Sequence, residues 1–407
     1  MSSETAAEFA RPTWLAQELR TVAEELASYD RPSASAGERR AAEWIAARMR
    51  ELGHAATVES ERAHGGYWWP LGILNSTVAV VGLAALRSRS RAMRLLAAAL
   101  GAGAETAIWD EVGGGRLWFR RAAMPHRDTF NAVAEAGDPD GEETIVVVAH
   151  HDAAHSGLVF HPALPRLFAE RFPKQHERSN QSFPIMYATW LGPVLVALGS
   201  LLGRARLQRV GSLLAAGAAA AMADIGRSQV VPGANDNLSA VAVLVALARS
   251  LAESPSPGVR VVLLSTGSEE SFMEGMQGYM RRHQSELDPA STTVLCLECV
   301  GSPTLTLVEA EGMLRMRHYD EGARERLAEA AREAGVELVR GLRTVAATDA
   351  LIALRRGYAA ATLASVDATK FPANYHWPSD TPENLDWQTM RRAFAVADRF
   401  IRRGERR

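Results

Sequence analysis

Cysteine is nearly absent from this sequence: Cys296 and Cys299 are the only two in 407 residues. No disulfide framework can be built from them. Their Cys-Leu-Glu-Cys spacing invites a metal-knuckle or redox reading. However, residues 294–300 have the composition of a strand, on which residues three apart face opposite sides. Two packed thiols are expected. Charge of one sign is lacking too. With 45 basic against 47 acidic residues, the formal net charge is -2. A general nucleic-acid binder needs a basic excess to displace counterions from phosphates, so no nucleic-acid partner is expected. Residues 1–25 lack the basic segment followed by an apolar one that marks a secretory signal, and a cytoplasmic location is expected.

What is present is ordinary globular material, 47% hydrophobic and 23% charged. The length suits one large α/β domain with insertions, or two domains. Residues 14–26 and 38–52 have helical periodicity, the second stopped by Gly53. Residues 144–149, 259–266 and 292–300 are β-rich apolar runs of the kind buried on both faces of a parallel sheet, and 238–251 is apolar almost all round, a buried helix. The expected fold is α/β, a three-layer sandwich with a mostly parallel central sheet.

Two stretches break this pattern. Residues 68–86 hold no charge, Arg87-Ser88-Arg89-Ser90-Arg91 interrupts, and an Ala/Leu-rich run continues to 108; residues 183–203 are uncharged, Arg204-Ala205-Arg206 interrupts, and 210–223 is Ala-rich. Each pair reads as an inserted apolar helical hairpin with a basic tip. The domain reading is a catalytic body of 1–65, 113–182 and 225–407, with hairpins at 66–112 and 183–224. Two of the four segments approach the roughly 20 residues that cross a bilayer, and the other two are short and mostly alanine. A buried pair packed beside the active site, with an apolar face forming a homodimer seam, is the expectation; membrane contact through the hairpins is the alternative.

Ligands of such sheets gather beyond the carboxyl ends of the strands, and polar residues fall there. His150-His151-Asp152 ends the 144–149 run, and Glu269-Glu270 follows 259–266. Glu298 lies near the end of the next strand, Asp236 sits before the buried helix, and His376 follows the apolar run 359–366. Singly each has a plain reading: a loop histidine, a solvated glutamate pair, an N-cap aspartate. Together they form a carboxylate/imidazole set that suits zinc, and two ions about 3.5–4 Å apart can clamp an attacking oxygen and polarise a carbonyl together.

The set also resembles a known family, the M28 metallopeptidases, which include bacterial aminopeptidases and glutamate carboxypeptidases. The likeness is carried by the segment Ser35 to Ile45, by Ala149-His150-His151-Asp152, Pro232-Gly233-Ala234-Asn235-Asp236-Asn237, Gly267-Ser268-Glu269-Glu270, and the stretch from His376 to Leu385. The resemblance implies a zinc-exopeptidase fold with two zinc ions, one held by His150 and Glu270, the other by Glu298 and His376, and Asp236 bridging. It implies that Asp152 orients His150, that Glu269 is the general base, and that Tyr375, just before the last ligand, stabilises the oxyanion. The sequence departs from the family where Glu298 replaces the commoner aspartate, where His151 intervenes between ligand and aspartate, and where Thr348-Asp349-Ala350 replaces Ser-Asp-His, so Asp349 is assigned no catalytic role. The implied function is hydrolysis of a small peptide or amide substrate, foremost as an aminopeptidase, with an amidase or deacylase of small N-acyl compounds as the alternative. A one-zinc glutaminyl cyclase and a non-catalytic module both fit a complete ligand set less well.

Overall fold

The computed structural model describes residues 13–182 and 186–403, so the first twelve residues, the start of the second apolar run and the last four residues lie outside the described part. Nine strands form one sheet: β1 (Ala55–Ala63), β2 (Arg127–Gly137), β3 (Glu143–His150), β4 (Val259–Thr266), β5 (Thr292–Glu298), β6 (Thr304–Glu311), β7 (Arg317–His318), β8 (Val339–Thr344) and β9 (Ala359–Val366). Their order is β1-β2-β4-β3-β5-β9-β6-β7, with β8 also paired to β6.

The sheet is mixed, which corrects the mostly parallel expectation. β4, β3, β5 and β9 run parallel at its centre, while β1/β2, β2/β4, β6/β9 and β6/β7 are antiparallel and β6/β8 is parallel. Side-chain chemistry gives the reason. Central β3 sends Ile145, Val147 and Ala149 into one core and Val146 and Val148 into the other, as a strand covered on both faces must. Edge strand β1 carries Glu59, Glu61 and Arg62 and keeps part of its surface in water, which antiparallel flanks tolerate.

Helices cover both faces. Leu15–Ala27, Ala36–Glu51, Ser239–Glu253, Glu321–Glu333 and Trp387–Arg402 pack on one side, and Glu274–Arg282 and Asp349–Arg355 on the other. Ser239–Glu253 is buried along nearly its whole circumference as far as Ala248, which explains the unbroken apolar run from Ala240 to Ala248.

Beyond the sandwich, Trp68–Arg87 and Arg91–Val112 form one antiparallel helix pair and Tyr187–Leu201 and Ala205–Ile225 another. The pairs pack together at small residues. A Cβ on Gly82 would sit 2.3 Å from Ser212 Oγ, and one on Gly101 would sit 3.0 Å from the Ala197 backbone nitrogen. Both insertions leave the body at one edge. Ala63 and Arg127 pair beyond the end of β4, and the second insertion follows β3. The helical bundle therefore rises from the carboxyl ends of the central strands.

Truncating Leu244, fully buried on Ser239–Glu253, should cost about 2–5 kcal/mol through lost transfer energy and a residual cavity. Leu244→Ala should lower the denaturation midpoint clearly, whereas Val339→Ala, half-exposed on β8, should leave it nearly unchanged.

Candidate metal centre

Strand ends deliver the side chains. His150 closes β3, Glu298 closes β5, and Glu269 and Glu270 follow β4 through Gly267 and Ser268. Asp236 sits in a one-turn kinked segment, Ala234–Leu238, directly before the buried helix. His376 lies in the loop after β9 with a positive φ of 50°.

These groups converge on Asp236. His150 Nε2 lies 3.2 Å from Asp236 Oδ1 and 3.5 Å from Glu298 Oε1, and His376 Nε2 lies 3.1 Å from Asp236 Oδ2 and 3.0 Å from Glu270 Oε1. Asp236 thus stands between two halves, His150 with Glu298 and His376 with Glu270. That differs from the pairing implied by the resemblance, which joined His150 to Glu270 and Glu298 to His376. One atom each of His150, Asp236 and Glu270 also fit within 4.8 Å of one another, so the ligand atoms form a single cluster. The direct contacts are the sharper guide to the pairing, because they are shorter. The reason is the sheet order: β3 is a direct neighbour of β5, which sets His150 beside Glu298.

Chemistry of the donor set fits a divalent metal. His150 Nε2, Asp236 Oδ2, Glu270 Oε1 and His376 Nε2 are buried and make no hydrogen bond although they face one another. Buried polar atoms are nearly always paired, and orphans that converge are what a cation would satisfy.

Electrostatics agree. Burial pushes the Glu269 carboxyl well above its ordinary range, opposed by His150 and reinforced by Glu298 and Glu270. Burial likewise raises Glu270 to about 7. Burial lowers the His376 imidazole, but Glu270 and Asp236 outweigh it and hold that group at about 10. So many buried carboxylates stay charged together only beside positive charge.

A set of acceptors fixes the geometry. Asp152 takes the Glu269 N–H at 3.0 Å, the Glu270 N–H at 3.2 Å and the Ser33 hydroxyl at 2.6 Å, and its Oδ1 lies 3.4 Å from His150 Nδ1. It therefore holds the two glutamates as well as the histidine. Glu38, wholly buried, accepts from Ser268 N and Oγ at 2.9 and 2.8 Å and from Thr129 Oγ1 at 2.8 Å. A Cβ on Gly267 would come within 2.6 Å of the Glu38 carboxyl carbon, so only glycine lets the loop pass. Asp380 accepts the Asn235 and Asp236 N–H groups at 2.7 and 3.1 Å, and Arg31 ties the His151 and Gly233 carbonyls together.

Sequence reasoning did not single out Glu38, Asp380 or Arg31 as site supports. Ser35-x-x-Glu38 reads as an ordinary capping box, and Ser35 does cap the Glu38 N–H. His151 turns away, with Nδ1 2.9 Å from Ser265 Oγ. β5 ends at Glu298, and Cys299 leaves it with a φ of 48°. Both thiols are buried and free, yet Cys299 is not simply core: it falls within 4.8 Å of Asp236 and Glu298 donor atoms.

Tyr375 stacks on the His376 ring at 3.8 Å. A cavity of about 660 Å³ runs from Glu269, Glu298 and Tyr375 past Leu342 and Val366. A second, of about 620 Å³, joins Glu269 and Glu270 to Tyr67, Met186 and Phe272 at the foot of the bundle.

The fold and this edge define an α/β body of the zinc-exopeptidase type. Residues 220–401 match the model of Peptidase family M28, so the family resemblance is shown over the stretch holding Asp236, Glu269, Glu270, Glu298 and His376. No curated protein matches the sequence. Among solved structures, the aminopeptidase from Aneurinibacillus sp. strain AM-1 is similar at TM-score 0.55 and 13% identity, covering 95% of this chain and 93% of that one. A Zn-dependent exopeptidase from Parabacteroides distasonis ATCC 8503 aligns at TM-score 0.54 and 13% identity over 96% and 98%. A glutaminyl cyclase from Bacteroides thetaiotaomicron aligns at 0.55 and 12% over 96% and 98%. At such identities these structures carry the fold, while the family match over residues 220–401 supports a peptidase-type hydrolase.

Removing the acceptor that holds both glutamates tests the framework. Asp152→Ala should weaken metal affinity about 10–100-fold, read by competition against a chromophoric chelator. Unchanged affinity would show that Glu38 alone holds the Glu269–Glu270 turn.

Proposed function

We propose that this protein is a dinuclear zinc hydrolase of peptide or amide bonds, acting foremost as an aminopeptidase. The observation that carries the reading is the convergence of unpartnered buried donor atoms from His150, Glu270 and His376 on Asp236. In this reading Asp236 with His150 and Glu298 would hold one ion, and Asp236 with Glu270 and His376 the other. Zinc held by these residues would supply Lewis acidity, polarising the scissile carbonyl and lowering the pKa of attacking water.

The chain's own groups do the rest. Glu269 is held by its backbone N–H on Asp152, so its carboxylate is free to face the cavity. It takes the proton from the attacking water and delivers it to the leaving nitrogen. Tyr375, in the wall of both cavities, donates its hydroxyl to the carbonyl oxygen as that atom gains charge.

A second reading, an amidase or deacylase of lipophilic N-acyl compounds, is favoured by the apolar foot of the cavity at Met186, Phe272 and Met313. Purified zinc-loaded enzyme assayed on aminoacyl, N-acyl and N-terminal glutaminyl amides separates the readings. A requirement for a free amine supports the aminopeptidase, preference for blocked substrates the deacylase, and cyclisation of the glutaminyl substrate without hydrolysis would overturn both.

Glu269→Gln keeps the shape and removes the proton acceptor. Its zinc content should stay near two per chain while turnover falls about 10²–10⁴-fold, whereas His150→Ala and His376→Ala should each lose metal. Full turnover by Glu269→Gln would remove it from the base's role.

A further inference from the structure

Four helices of this fold expose apolar side chains that no described part of the chain covers. Among the described residues, Val339 is the only exposed large apolar side chain outside residues 69–213. Ile73 and Val80, Leu96 and Leu100, Leu198, and Leu213 place such side chains on all four bundle helices. A single dimer seam would concentrate them on one face; here they ring the bundle.

Charge is sorted along the bundle axis. Arg87, Arg89, Arg91 and Arg94 stand at the tip of the first hairpin and Arg204, Arg206 and Arg209 at that of the second. The tips adjoin, since a Cβ on Gly203 would lie 3.2 Å from the Arg94 guanidinium. No acidic residue occurs in 68–104 or 183–223. The opposite end is aromatic, with Trp68, Trp69, Trp109, Tyr187 and Trp190 where the helices meet the body. From Trp69 to Arg87 the helix rises roughly 27 Å at 1.5 Å per residue, close to the roughly 30 Å hydrocarbon core of a bilayer.

The interior and the outer polar groups suit the same surroundings. Backbones approach at Gly101, Gly192, Gly199 and Gly211, the small-residue packing by which helices associate in lipid. Gln208 donates across the bundle to the Gly82 carbonyl at 2.8 Å. The exposed hydroxyls of Thr77 and Thr106 donate to their own helices, at Ile73 and Ala102, and so need no water. Glu105, the one ionisable residue between Leu95 and Trp109, is partly buried and lies one turn from the aromatic end. At that end the short helix Ala163–Arg171 buries no residue and exposes Leu164 and Leu167 beside Arg166 and Arg171, as an interfacial helix does. Among the described residues only Trp68–Arg87 is long and apolar enough to cross a membrane by composition alone, with half of that window buried; the outer surface shared by the four helices is what distinguishes the bundle.

We propose that the bundle is embedded in a lipid bilayer, with its arginine tips among the phosphates of one headgroup layer and its aromatic end at the other. The catalytic edge then stands at the membrane surface, with its cavity opening beside Tyr67 and Met186.

Expression of the full chain in bacteria, carbonate extraction and flotation on a sucrose gradient form the first test. The chain should float with membranes after carbonate and dissolve only in detergent. Recovery in the detergent-free supernatant, as monomer or dimer, or at the bottom of the gradient would overturn the proposal. In the second test, Val80→Cys is labelled with an environment-sensitive fluorophore and reconstituted into phosphatidylcholine–phosphatidylglycerol vesicles. Its emission should be lost when nitroxide-bearing acyl chains are included. A label shielded by a second copy of the chain would keep its emission, and that result would also overturn embedding.

Discussion

Burying several carboxylates at one sheet edge is the constraint on which the rest of the site depends. Asp236, Glu269, Glu270 and Glu298 meet around two imidazoles, nearly sealed from water. Mutual repulsion and desolvation would drive these groups apart or neutralise them. The fold answers with a division of labour among its acids. Asp152, Glu38 and Asp380 face backbone N–H groups and spend their acceptor capacity on the loops. Asp236 and Glu270 retain oxygens that face only the centre. The first group makes the second rigid, and rigidity is what lets a ligand set discriminate geometry.

Adjacent glutamates acquire different environments by the same means. Consecutive residues after β4 point in different directions, and Asp152 grips both amides with its two oxygens. Glu270 reaches His376, whereas Glu269 comes no nearer than 3.9 Å to His150 and lines the cavity. The dipeptide therefore supplies one group suited to a metal and one suited to a proton, a separation fixed by the backbone.

Much of this was legible in the sequence because period and position carry it. The apolar runs at 144–149, 259–266 and 359–366 are central strands, and residues just after a parallel strand must lie at its carboxyl edge. That places His150, Glu269, Glu270 and His376 near one another without knowledge of any contact. The antiparallel flanks were not legible, since β1 carries charges at positions that a buried-strand reading rejects. Nor was the pairing of ligands, which follows from β3 lying beside β5, a matter of sheet order rather than spacing. Glu38 stayed hidden because its local pattern is satisfied by a helix cap. Its burial against Ser268 arises from a contact 230 residues away.

Substrate choice lies on a different link of the chain from catalysis. The candidate donor set stands on strand ends and neighbouring loops of the body, so it survives any insertion that leaves those segments in place. The cavity does not share that independence: Glu269 and Phe371 come from the body, but Tyr67 and Met186 come from the feet of the two hairpins. A likeness of 12–14% identity to other structures therefore carries the fold of the body and not the cavity wall. That wall is apolar and contains Met186, Met273 and Met313, side chains that fit irregular apolar shapes. Such a wall excludes water, which strengthens the pull of fixed charges inside the cavity. Whatever holds the bundle upright also holds that wall, so the insertions and the substrate pocket form one physical unit.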